Sequence, residues 1–164
     1  MISVKNLFKT FNGFQAVSDL SFDITPGDVV GFLGPNGAGK STTMKMLTGF
    51  LLPTSGDIHI TNLSLEQSAL DIKKKIGYLP EGAPAYGDMT PLQFLNFIAQ
   101  IRGYKGAEKA SRIEQVVKQV ELNEVLDKPI DNLSKGFKRR VGLAQALIHD
   151  PEILILDEPT DGLD

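Results

Sequence analysis

Leu20, Phe22 and Ile24 are apolar, and Ser21 and Asp23 between them are polar. A period of two sends alternate side chains to opposite faces, so the pattern predicts a strand with one buried face. Residues 29–34, VVGFLG, are a short apolar run closed by glycine. Such a run predicts a strand buried on both faces. Residues 40–51 carry helical spacing, with Met44, Leu47 and Leu51 on one face. PTSG at 53–56 reads as a turn, and DIHI begins another strand. IGYLP at 76–80 predicts a further buried strand. The texture then changes. Residues 91–103 and 107–122 predict helices, with Ile113, Val116, Val117 and Val120 at i, i+3, i+4 and i+7. A third helix is expected over 134–149, and Pro151 cannot continue it. ILIL at 153–156 is apolar at every position and returns to buried strand.

Strands thus dominate early, a helical insert occupies roughly 88–150, and a sheet strand follows. The 164 residues suit one domain of ordinary size. A net charge of −3 gives no global basic field for nucleic acid. The basic stretch KGFKRR at 135–140 is expected to be the solvated face of a helix. There is no cysteine, so disulfides and thiolate metal sites are excluded. MISVKNLFKTF has no continuous apolar stretch, so no signal peptide is expected there. No run approaches the ~20 apolar residues of a membrane helix. Any work at a membrane would need another subunit to span it. His59 and His149 are the only histidines, and the helix dipole accounts for His149 near a helix C-terminus.

The chemistry begins at GPNGAGKST. It has the form G-x-x-x-x-G-K-[ST], with Gly34, Gly39, Lys40 and Ser41, between a predicted strand and a predicted helix. Glycines let successive backbone N–H groups curl around an anion, and the helix N-terminus adds positive partial charge there. Lys40 can reach the β and γ phosphates of a nucleotide, and the Ser41 hydroxyl can ligate Mg²⁺. The strand 153–156 runs into Asp157 and Glu158. Beside a phosphate loop, Asp157 reads as a Mg²⁺ ligand through water, and Glu158 as the group that polarises an attacking water. The fold class these features predict is α/β, a P-loop NTPase with a mixed sheet core and a helical subdomain.

LSKGFKRRVGLAQAL at 133–147, together with GPNGAGKSTT, IGYLPE and LDEPTDGLD, resembles the ATP-binding-cassette (ABC) transporter ATPase subunits. The resemblance runs through the whole chain in the family's order. It implies that Gly34, Pro35, Asn36, Gly37, Ala38, Gly39, Lys40, Ser41 and Thr42 form the Walker A loop. It implies that Ile153 to Asp157 form the Walker B strand, with Glu158 as catalytic base. Leu133, Ser134, Lys135, Gly136 and Phe137 would be the signature, read by the ATP of a second cassette in a head-to-tail pair. Thr160 to Asp164 would be the D-loop. Phe11 would stack on adenine, or else pack in the core. Lys135 and Phe137 depart from the common signature; Lys135 either adds charge near the partner's γ-phosphate or points to solvent.

Glu81 stands where the family usually carries a glutamine. It is expected either to ligate Mg²⁺ and raise the dependence on it, or to meet a basic residue of a membrane subunit. The resemblance implies ATP and Mg²⁺ as cofactors, a second cassette and integral-membrane subunits as partners, and a peripheral place on the cytoplasmic face of the membrane. Within the family, the sequence looks most like single-cassette subunits of exporter-type systems. The core would comprise 1–87 and 151–164, and the helical subdomain 88–150. The family's switch histidine follows the D-loop, so the expectation is a truncated cassette with weak turnover and a tendency to self-associate. Rival readings are a soluble ABC-type ATPase unconnected with transport and a nucleotide-binding regulator without turnover.

Overall fold

The computed structural model of the chain describes residues 1–82 and 85–158. The chain divides into two compact units, Met1–Lys74 and Lys75–Asp164.

In the first unit, β1 (Ile2–Phe11) and β2 (Phe14–Ile24) form an antiparallel hairpin. Asn12 and Gly13 join them with φ 44° and 85°. Positive φ at both central residues is the two-residue turn that matches the twist of paired strands. The strand expected around 20–24 therefore starts at Phe14, and β1 is an element the alternation did not foresee. β3 (Ser55–Ile60) pairs with the other edge of β1, and the short β4 (Leu63–Ser64) pairs with β3. The sheet order is β2-β1-β3-β4. Ile2, Val4, Leu7, Val17, Ile58 and Ile60 are buried on it. Its strands bulge where Asn6 and Asp19 both take φ 45°. The Asn6 N–H donates to Ser21 Oγ at 2.8 Å and its Nδ2 to Asp19 Oδ1 at 2.8 Å, so polar side chains fill the gaps in the ladder. Beside this bulge a Cβ on Gly56 would strike the Asn6 carbonyl.

Residues 29–34 are not the buried strand their composition predicts. They form no strand, and Val29, Val30 and Leu33 are exposed. Phe32 alone finds an aromatic partner, Phe22 of β2, with ring centroids 5.8 Å apart. An apolar run suits a two-faced strand, but pairing comes from neighbouring strands, and no described strand pairs with this one. The helix expected over 40–51 is α1, Lys40–Leu47. It stops early because Gly49 turns to φ 68° and the Lys45 carbonyl accepts both the Phe50 and Leu51 N–H groups. Of the expected Met44, Leu47 and Leu51 stripe only Leu47 is buried, and Thr43 and Met46 are buried with it. A second helix, α2 (Leu65–Lys75), is kinked at Ser68.

In the second unit, β5 (Ile76–Leu79) and β6 (Ile153–Leu156) pair in parallel, Ile76 opposite Ile153 and Leu79 opposite Leu156. The chain between them supplies α3 (Pro91–Ile101), α4 (Gly106–Gln119) and α5 (Lys135–Leu147), close to the predicted spans. Thr90 and Gln93 close a reciprocal capping box at α3, with Pro91 in its first turn. The predicted stripe of α4 is buried, with Phe94, Leu95 and Ala99 of α3 and Val141, Ala144 and Ile148 in the same core. The end of α5 lies on β5, since a Cβ at Gly77 would meet the Ala146 carbonyl. ILIL is less buried than expected. Only Ile155 is fully buried, and Leu154 is exposed, because β6 pairs with β5 alone among the described residues.

His149 also departs from expectation. Its Nε2 lies 3.0 Å from the Ile76 carbonyl, to which the neutral ring donates. Burial, and then the charge of Arg102, hold its pKa below 6.5, opposite to the effect of a helix dipole. A histidine depressed in the folded state binds fewer protons than in the unfolded chain, so acid favours unfolding. Above its unfolded pKa the group contributes no pH dependence. As pH falls through 6.5 and then through the lower folded value, stability is lost. The expected result is a smaller acid-induced drop in thermal midpoint, by on the order of 2 °C between about pH 7.5 and about pH 5.5, in His149→Gln. Parallel melting series check it, and identical slopes would remove His149 as the cause.

Candidate nucleotide-binding and catalytic site

The phosphate loop lies wholly in the first unit. Gly34, Pro35, Asn36, Gly37 and Ala38 are exposed, and Gly39, Lys40, Ser41 and Thr42 are half-buried as the chain enters α1. The loop turns on an Ala38 N–H bond to the Pro35 carbonyl at 3.2 Å. Gly37 and Gly39 take φ 83° and 86°. Gly39 is required twice over: its φ is left-handed, and a Cβ there would strike the Ala16 carbonyl of β2. It caps α1 with backbone alone, since no side chain accepts from the first turn. N–H groups of a first helical turn have no acceptor within the helix, and the dipole concentrates positive charge there. Lys40 folds over the loop and donates to the Gly34 carbonyl at 2.8 Å and the Pro35 carbonyl at 2.9 Å. Backbone donors, a helix end and an ammonium therefore converge on one exposed loop, an arrangement suited to a polyphosphate.

Phe11 ends β1 at the hairpin tip. It is 43% exposed, with the Lys9 ammonium 5.1 Å from its ring centroid. Of the two readings open for it, core packing is excluded.

The carboxylates lie in the second unit. Asp157 follows β6, is 6% exposed, and donates its N–H to the Leu79 carbonyl at 2.9 Å. Burial, and then the Asp157 charge, push the Tyr78 hydroxyl above its ordinary pKa. Glu158 is exposed and takes φ 50°. A left-handed non-glycine residue costs of order 1–3 kcal/mol and persists only where its surroundings hold it. Glu81 is exposed in the turn after β5, beside Gly82 at φ 78°. Among the described residues no cluster of three or more His, Asp or Glu forms a metal cage. Mg²⁺ is usually held by one or two carboxylates together with substrate phosphates, and Asp157 and Glu81 each carry a carboxylate, and Ser41 a hydroxyl, of the oxygen hardness it takes.

The signature segment opens α5. Leu133 is buried, and Ser134 is the N-cap, its Oγ accepting from the Phe137 N–H at 3.3 Å. Lys135 is exposed, Gly136 and Phe137 are half-buried, and the Arg140 guanidinium lies 5.5 Å from the Phe137 ring centroid. The D-loop expected at 160–164 lies outside the described residues.

The basic stretch 135–140 is not one solvated face. Arg140 reaches Glu121 Oε2 at 3.0 Å, and Lys138 lies 3.8 Å from Asp131 Oδ1. Arg139 is 6% exposed and donates to the backbone carbonyls of Pro80, Asp157 and Glu158. The charge count along the chain hid it. The signal was its spacing: Arg139 stands at i, i+3 and i+7 with Gly142 and Ala146, the small residues of the buried side of α5.

The ABC transporter family matches residues 17–161. Over all 164 residues the chain is 42% identical to the uncharacterized ABC transporter ATP-binding protein YxlF of Bacillus subtilis, spanning 54% of that protein. It is 38% identical to the probable multidrug ABC transporter ATP-binding protein YbhF of Escherichia coli, spanning 28% of it. The chain thus covers about half, or less, of the length of these curated relatives. Among solved structures, a dimeric bacterial ABC transporter cassette, MJ0796, matches with a TM-score of 0.90 and 29% identity, covering 100% of this chain and 76% of that one. The same cassette in a post-hydrolysis state with ADP and Pi matches at 0.89. With a family match over residues 17–161 and cassette structures that superpose on the whole chain, this chain belongs to the ABC transporter family, on the side of its ATP-binding subunits, and has the P-loop NTPase fold.

Proposed function

We propose that the chain binds ATP with Mg²⁺, pairs head to tail with a second cassette, and uses ATP hydrolysis to drive an integral-membrane transporter. The observation that carries this is the glycine-capped start of α1, with Lys40 folded over an exposed loop that offers backbone donors to phosphate. In this reading the Walker A residues Gly34 to Thr42 hold the phosphates and Phe11 stacks on adenine. Ser41, Asp157 and Glu81 serve the Mg²⁺, and Glu158 polarises water. Bound Mg²⁺ neutralises charge on the phosphates. The signature, Leu133 to Phe137, faces the partner's nucleotide, with the Ser134 cap and the N-terminus of α5 as its donors. Residues 1–87 and 151–164 act as the catalytic core, and 88–150 as the helical subdomain.

In the same reading the chain works as a peripheral subunit on the cytoplasmic face of the membrane, beside a partner that spans it. No described helix is long and apolar enough to cross a membrane. The dimeric relatives support pairing, and the transporter names of the curated relatives support coupling to transport. Sedimentation of the purified chain tests the reading. Mg²⁺ and ATP together are expected to shift it from monomer to dimer, and chelation of the metal to reverse the shift. A mass unaffected by nucleotide would overturn the sandwich.

A further inference from the structure

Arg139 contacts the chain at three functionally distinct places within the second unit. The guanidinium donates to the carbonyl of Pro80, the residue before Glu81, at 3.3 Å. It also donates to the carbonyls of Asp157 and Glu158, the two acids at the end of β6. All three acceptors are backbone, so Arg139 holds chain position whatever side chain each residue carries. A guanidinium does this well because its donors form a rigid planar fork. Glu158 is also the residue at φ 50°, a conformation that needs outside support. Arg139 lies one and a half turns into α5 from Ser134, the cap of the signature segment, so a rigid helix joins the two.

We infer that Arg139 is a positioning residue: it holds Glu158 in its left-handed backbone conformation and ties that conformation to the signature helix and to the Glu81 turn. The inference deepens the proposed function and rests on Glu158 acting as the base. Its consequence is communication between sites. A nucleotide engaging the Ser134 end of α5 displaces a helix whose next turn grips the carbonyls on either side of the Glu158 Cα. The geometry of the base then answers to the state of the signature.

The test is a double-mutant cycle in the full chain, with Arg139→Gln, Glu158→Gln and the double variant. ATP affinity is read by calorimetry, turnover by phosphate release and folding by thermal melting. An ångström-scale misplacement of a catalytic group costs up to roughly a hundredfold in rate. Arg139→Gln is therefore expected to lower kcat by roughly tenfold to a hundredfold, with ATP affinity within about twofold. In the Glu158→Gln background the same change is expected to have no further effect. If Arg139→Gln does not fold, Arg139→Lys keeps the charge without the fork and is carried through the same cycle. An unchanged kcat, or an equal loss in both backgrounds, would overturn the inference. Full activity in Glu158→Gln would overturn the assignment of the base, and this inference with it. A slow Glu158→Gln beside a fully active Arg139→Gln would overturn this inference alone.

Discussion

Glu158→Gln is expected to turn over ATP about 10²–10³ times more slowly than the parent while binding ATP with affinity within about twofold. The glutamine is nearly the same shape but cannot take a proton from water. The phosphates are assigned to a loop of the first unit and Glu158 to the second, so affinity and rate separate. Glu158 is exposed, so the amide faces no burial penalty, and the backbone contact from Arg139 is unchanged by the substitution. Phosphate release and titration calorimetry on the same preparation measure both quantities. A rate within threefold of the parent would remove Glu158 as the base and leave Asp157 as the carboxylate to examine.

Lys40→Ala is expected to weaken ATP binding at least tenfold, about 1.4 kcal/mol. Two effects act in one direction. The ammonium that would meet the phosphates is gone. The carbonyls of Gly34 and Pro35 also lose the donor that holds the loop closed. Lys40→Met keeps most of the stem and lacks the charge, so an equal loss in both variants assigns the effect to the ammonium. Calorimetry at constant ionic strength gives the answer, and unchanged affinity in either variant would end the Walker A assignment.

The parts of this molecule legible in its sequence are those whose geometry is local. Gly39 is readable because a left-handed cap pressed against another strand admits no other residue. The helices 91–103, 107–122 and 134–149 are readable because their apolar spacing and caps lie within a few turns. Asn12-Gly13 was equally local, a strong hairpin signal between β1 and β2, yet the broken alternation of the bulged strands obscured it. Residues 29–34 were misread because a strand is defined by its neighbours, and composition reports only what would suit it. The kink at Ser68 interrupts the periodicity of α2, leaving only Leu65 and Ile72 buried. Arg139 was misread for a third reason. A run of charges averages to a solvated face, although one of its members faces the core and bonds to segments 18 and 59 residues away.

The order of β2-β1-β3-β4 has a consequence for the birth of the protein. The central strand β1 is made first, and its hairpin with β2 needs only a two-residue turn. The other edge of β1 waits for Ser55–Ile60. At roughly 5–20 residues per second of synthesis, that wait lasts about two to seven seconds after β2 is complete. During it the nascent sheet is a two-stranded ribbon whose β1 edge still lacks its partner, and everything from Thr25 to Thr54, the phosphate loop included, hangs as a single excursion between β2 and a strand not yet made. Arrival of β3 closes that excursion. Lys9 then bonds to the Leu52 carbonyl at 2.7 Å and Thr54 Oγ1 accepts from the Thr10 N–H at 3.0 Å, fastening the far end of the excursion to β1. On the ribosome, the segment that carries the phosphate loop is therefore anchored to the sheet at both ends only once β3 has been made.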